Sequence, residues 1–145
     1  MALPANSELV ALAWLRSLDN IADNQVGTGL NSSANLSGGY ITVGPVVGGD
    51  IDLYMKTRRP VLQVDAWSAT AKGKADWATA TNLAEYVRAG TEDVTKKRVA
   101  LTLRTGYNQA QVTKASFVTE PQRIENDPSD YARIQFDLEL WWTEV

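Results

Sequence analysis

The sequence predicts an α+β fold, a two-layer domain with a mainly antiparallel or mixed β-sheet and two helices packed on one face. Two segments, near residues 7–21 and 77–89, repeat apolar side chains at helical spacing. Tyr131–Trp142 alternates Ala132, Ile134, Phe136, Leu138, Leu140 and Trp142 with Arg133, Gln135, Asp137 and Glu139. That is the pattern of an antiparallel strand with one covered and one wet face. The 145 residues, 44% apolar and 21% charged, suit one globular domain over 1–145 that buries roughly 68–70% of its extended-chain surface.

The first helix is expected over Ser7–Ile21, with Asn6 as N-cap and Glu8 in the first turn. Val10, Ala13, Trp14, Leu18 and Ile21 form one stripe, and Leu9, Leu12 and Leu15 a second on the far side. A surface helix of a monomer needs one stripe. The second is covered either by another part of the chain or by a neighbouring subunit. Asp23–Gly39 is turn-rich with a short extended piece at Val26–Thr28, and a loop that long is usually functional or mobile.

Tyr40–Val47 is predicted as a strand interrupted by Pro45, followed by a Gly48-Gly49-Asp50 turn and a strand at Ile51–Met55. Val61–Trp67 is the next strand, with Leu62, Val64 and Ala66 on one face and Val61, Gln63, Asp65 and Trp67 on the other. The second helix, Trp77–Ala89, is capped by Asp76 and closed by Gly90 at C′. Val99–Arg104 and Val112–Glu120 read as a hairpin around Gly106-Tyr107-Asn108, and Glu125–Asp130 as a polar turn before the last strand.

The chain contains neither cysteine nor histidine. Ser-His-Asp triads, Cys-His pairs, histidine-ligated metals and disulfides therefore cannot form. Asp50 and Asp52 share a strand face, but nothing else marks them as catalytic, and no enzyme activity is expected. Glu125, Asp127 and Asp130 lack the Gly and the bidentate Glu of a calcium loop, so a solvated turn is the better reading. No cofactor is indicated. A net charge of −3 is too acidic for simple phosphate binding. No basic stretch precedes an apolar one as in a secretory signal, and no run of apolar residues is long enough to span a membrane, so a soluble, cytoplasmically made protein is expected.

Contact surfaces are the remaining candidates. Ordinary solvated turns are the default for Arg58-Arg59 and for Lys96-Lys97-Arg98, with subunit salt bridges the second reading, which favours the Arg pair because Arg is enriched at interfaces and Lys depleted. Of Trp141 and Trp142, strand alternation puts one on the wet face. With Trp142 in the core, Trp141 joins Trp67, Arg133, Asp137 and Glu139 outside. A loop folded over both tryptophans is the alternative to a contact surface.

Four stretches carry a resemblance to a known family. They are the opening helix with Val26-Gly-Thr-Gly-Leu30, Tyr40-Ile-Thr-Val-Gly with Val47-Gly-Gly, Arg59-Pro-Val-Leu-Gln-Val-Asp-Ala-Trp67 leading to Asn82-Leu-Ala-Glu, and Glu120-Pro-Gln-Arg123 with Tyr131–Leu140. In order and spacing the chain resembles the tail terminator proteins of long-tailed, lambda-like bacteriophages (siphoviruses), most closely those of actinobacterial phages.

The resemblance implies a structural virion protein, made in the host cytoplasm, that forms a hexameric ring on the head-proximal end of the tail tube. Such a ring ends tube polymerisation and joins the tail to the head, and DNA passes through its lumen without specific binding. Its partners would be its own copies, the tail tube protein and the head-completion or connector protein. A head-completion or connector protein is the alternative. A closed ring uses heterologous contacts and needs two different surfaces per protomer. Leu9, Leu12 and Leu15 are the candidates for one. Arg58, Arg59, Trp67, Arg133, Asp137, Glu139 and Trp141 are the candidates for the other. Asn24, Val26, Leu30 and Asn35, in the long uncharged loop, are the candidates for tube contact.

Overall fold

In a computed structural model, which describes residues 2–30, 36–51 and 56–145 with backbone only at 50 and 51, two helices cover one face of a mixed six-stranded sheet. In chain order the elements are α1 (Ser7–Ser17), β1 (Val26–Gly27), β2 (Tyr40–Ile51), β3 (Arg58–Ser68), α2 (Trp77–Glu92), β4 (Ala110–Phe117), β5 (Gln122–Arg123) and β6 (Ala132–Glu144). The strand order is β1-β2-β3-β6-β4, with β5 also pairing β6. Among the strands of the described residues, the two-residue β1 runs parallel to its neighbour and the other strand pairings are antiparallel.

β6 is the one-face-covered strand the alternation predicts, two residues longer at its end, with alternate residues buried as far as Trp142. Its covered side meets Leu62, Val64 and Ala66 of β3 in register. Against this face α1 sets Val10, Ala11, Trp14 and Leu15, and α2 sets Ala80, Leu83, Ala84 and Val87.

The first helix stops four residues earlier than its apolar spacing suggests. Leu18 is already extended, and Asn20 takes a left-handed φ of 66°, which Asn tolerates better than most residues. Leu18 and Ile21 still reach the core from the turn. The second helix does not end at Gly90 but runs to Glu92. Gly90 serves close packing, since a Cβ there would lie 2.5 Å from Leu18 Cδ2. Lys97 closes this helix: its ammonium donates to the carbonyls of Gly90, Thr91 and Asp93 at 3.0–3.2 Å, a favourable place for a cation.

The expected turn at Gly48-Gly49-Asp50 is absent, because β2 continues through it to Ile51, pairing with Arg58. Two register shifts, between Val43 and Val46 and between Val46 and Gly48, absorb Pro45, which has no N–H for the ladder. Gly49 has φ +113°, and a Cβ there would lie 2.1 Å from the Arg59 carbonyl oxygen. Gly49→Ala is accordingly expected to destabilise the fold by about 2–3 kcal/mol in urea denaturation. A turn glycine in open solvent would tolerate the change far better. The separate strand expected at Ile51–Met55 begins as the end of β2, and residues 52–55 lie outside the described residues.

Val99–Arg104 is not a ladder strand. One bridge joins Leu101 to Ala110, and the Gly106–Asn108 side pairs instead with Leu3 near the N-terminus. β4 also ends early, at Phe117, where the chain turns and the Val118 N–H reaches the Asp137 carbonyl.

Candidate assembly interface

The face of the sheet away from the helices carries two tryptophan–cation clusters. Register places Trp67 opposite Arg133 and Asp65 opposite Gln135. The Arg133 guanidinium lies 4.9 Å over the Trp67 ring and donates from Nε to Asp65 at 2.9 Å and from Nη1 to Asp127 at 3.1 Å. Trp67 Nε1 donates to Thr42 Oγ1 at 2.9 Å. Asp127 comes from the turn before β6, where it also accepts bonds from the hydroxyl and backbone N–H of Ser129. Those Ser129 bonds, and then Arg133, hold its carboxyl below the usual aspartate range against the opposing effect of burial. Its partner Arg133 is raised, chiefly by the hydrogen bond to Asp65.

At the other end of the same face Trp141 lies between two cations, Arg59 at 4.7 Å and Lys114 at 4.6 Å from its centroid. Its indole N–H donates to Glu139 at 2.8 Å. Each of these contacts is worth about 0.5–1 kcal/mol at a wet site, so the cluster chiefly fixes an aromatic platform in place. Arg58 reaches the opposite side of the sheet, 5.3 Å over Trp142. Asp137 lies mid-face, opposite Gln63. Thus Trp67, Arg133, Asp137, Glu139, Trp141 and Arg59 share one face, and Arg58 turns away from it.

The second stripe of α1 divides. Leu15 has no exposed surface and Leu12 retains 8%, so this chain covers them itself, and an interface role is corrected for both. Leu9 alone stays partly exposed. With Leu12 and Ala13 it lines a groove of about 1010 Å³, whose other wall includes Leu101, Leu103 and Tyr40. Leu15→Lys is expected to unfold the isolated chain, because the ammonium would be buried unpaired. Leu9→Lys should cost about 1 kcal/mol or less, and thermal melts of both variants test the division.

Among the loop candidates, Val26 is 2% exposed, buried as β1 against Ile41, and is withdrawn as a free contact. Asn24 is exposed in a short 3-10 turn, Leu30 is 38% exposed, and Asn35 lies outside the described residues. Both ends of the loop are tied down. Gln25 Nε2 donates to the carbonyls of Gly38 and Gly39, and Ser68 Oγ to that of Leu36.

Lys114 and Thr42 are not among the residues the sequence singles out, and Asp65 and Asp127, expected on a wet face and in a solvated turn, are instead both 7% exposed and bonded to Arg133. Asp65 belongs to the alternating face of β3, but only the cross-strand register reveals that it meets Arg133. For Asp127 the one local signal is Ser129 two residues on, a spacing that favours an Asx-type turn. Asp50 lies opposite Arg59 in the ladder, and Asp52 lies outside the described residues. Among the described residues there is no group of three or more metal-ligating side chains, and no helix is long and apolar enough to cross a membrane.

No family model and no curated protein matches the chain. Among solved structures it is similar to a chain from the virion of a native gene transfer agent particle. The two are 18% identical, and the match covers 96% of this chain and 87% of that one with a TM-score of 0.51. A second solved chain is 16% identical, with 97% and 96% covered and a TM-score of 0.45. The first likeness is one of fold.

Proposed function

We propose that this chain is a structural virion protein of the tail terminator kind. It forms a hexameric ring on the head-proximal end of the phage tail tube, stops polymerisation of the tube protein and presents a surface to the head-completion protein. The observation that carries the reading is the fold shared, over nearly the whole chain, with a chain of a phage-like virion particle. The open sheet face supports it, because aromatic platforms fixed by cations suit contact surfaces. With no histidine or cysteine in the sequence, the commonest general base and the commonest thiol nucleophile are missing, which favours a role performed by surfaces over catalysis.

Purified protein mixed with purified tail tubes and with capsids tests the proposal by electron microscopy. The expected result is a six-fold ring at one end of each tube, and tails of irregular length from a phage lacking the gene. Binding to the capsid portal with bare tube ends would move the protein to the head-completion position. Binding to neither, with normal tails in its absence, would end the reading.

A further inference from the structure

The groove beside α1 is lined by both edges of the sheet. One wall is Val26–Gly29, which carries the outermost strand β1, and the other is Val99–Arg104, bridged at Leu101 to the outer side of β4. Leu9 and Ala13 of α1 line it as well. Leu101 exchanges both backbone hydrogen bonds with Ala110, at 2.7 and 3.3 Å. In an antiparallel ladder the residues on either side of such a pair turn their N–H and C=O the other way. Ala100 and Thr102, both exposed, therefore aim theirs away from β4, on the side of the groove. Among the described residues these groups make no backbone hydrogen bond. Such a row is a template for one more strand.

A strand with a matching open edge stands elsewhere on the chain. β1 covers β2 at Ile41 and Thr42, and among the described residues the outer edge of Val43–Gly49 pairs with no strand. That stretch carries no charge, and Pro45 is its one residue of a kind that blunts an edge. Adjacent Val46 and Val47 are 46% and 52% exposed. Val46, opposite Leu62, continues the apolar face of β2 to where the helices no longer cover it. Residues 43–49 are laddered to β3, and none of them lines the groove of the same molecule.

We propose that the groove receives Val43–Gly49 of a second copy, added as a strand along Ala100–Thr102 with a valine packed on Leu9. The spans agree, since Val43–Gly49 runs roughly 23 Å as a strand and Val99–Arg104 roughly 20 Å. Free backbone groups beside an apolar floor select an extended segment, because a strand meets both at once. A charged segment would lose water there without gaining a partner. A reciprocal exchange between two copies and a closed ring satisfy this pairing equally. The number of copies rests on the ring reading above; the pairing of arm and groove does not.

The chain has no cysteine, so single cysteines report the contact without background. Val47→Cys marks the arm and Thr102→Cys the groove, both at exposed positions. The two proteins are mixed in equal amounts with a short bismaleimide, and the products are resolved on a denaturing gel. The expected product joins one copy of each variant and exceeds the self-linked product of either variant alone by about tenfold. Leu9→Lys added to the Thr102→Cys chain should cut that yield about tenfold, because the arm would then bury an unpaired ammonium. Should a cysteine variant lose its fold, Val46→Cys and Ala100→Cys, also exposed, take their places. The inference is overturned if the mixture links no better than either variant alone, or if Val47→Cys links chiefly to itself. It is overturned equally if Leu9→Lys, still folded by its thermal melt, leaves the yield unchanged. Six-fold rings formed on tubes as readily by the Leu9→Lys protein as by the wild type would overturn the pairing and leave the ring reading standing. Bare tube ends beside intact arm–groove linkage would do the reverse.

Discussion

Replacing Phe136 with alanine is expected to lower the free energy of unfolding by roughly 3–5 kcal/mol. Phe136 sits mid-way along β6, an interior strand, 1% exposed and opposite Val64 of β3. Its ring is stacked on Phe117 with centroids 4.5 Å apart. Truncation removes the transfer energy of the ring and leaves a cavity on the covered side of the sheet, within the core cluster, that the surrounding side chains fill only in part. Phe117, on an outer strand and only half-buried, loses its stacking partner as well. Urea denaturation followed by tryptophan fluorescence measures the loss as a lower midpoint at unchanged slope. Gln135→Ala, one residue away on the open face, should shift stability by about 0.5 kcal/mol or less. A neutral Phe136→Ala beside a costly Gln135→Ala would mean that the strand presents its other face to the helices.

That contrast was legible in the amino-acid order because twelve residues of strict alternation leave only one way for β6 to face. The burial of α2 was equally plain, since Ala80, Leu83, Ala84 and Val87 form one stripe. Elsewhere local rules met a tertiary competitor. Gly90 has the form of a helix terminator, but it lies where α2 crosses Leu18, and the Lys97 ammonium performs the termination seven residues later. Gly48-Gly49 has turn chemistry, yet close approach of the Arg59 carbonyl requires glycine inside a continuing strand. Leu12 and Leu15 looked surplus to a single stripe because no periodicity tells how deeply a helix is embedded. The 99–104 wall and the loop at Val26 close over that side. Of the candidate site, Trp67, Arg133 and Trp141 followed from strand alternation alone. Asp65 and Asp127 did not, because their meeting at Arg133 depends on strand register and on a turn of the chain back onto β6.

Removal of the Arg133 guanidinium is the change expected to damage the open face most. Arg133→Met keeps the length of the stem and its packing on Trp67 but leaves Asp65 and Asp127 facing each other without a cation. The two carboxylate side chains are each 7% exposed and Arg133 is 23% exposed. Breaking a buried ion pair from one side costs about 3–5 kcal/mol. Because Arg133 keeps part of its surface in water, about 3 kcal/mol at pH 7 is the expected loss. The pH dependence separates stranded charge from lost packing. Asp127 is held below its ordinary value in the folded wild type, first by Ser129 and then by Arg133. Its contribution is therefore present above the unfolded aspartate pKa of about 3.9 and disappears as pH falls through the lower folded value. In Arg133→Met one of the groups lowering Asp127 is gone, so acid neutralises it sooner and relieves the repulsion. The gap between wild type and variant should narrow as pH falls from 7 into the range where Asp127 is protonated, and Asp127→Asn added to Arg133→Met should recover part of the loss at pH 7. A gap that stays constant across that range, with no rescue by Asp127→Asn, would mean that the guanidinium contributes through packing on Trp67 and not by holding the turn to the sheet.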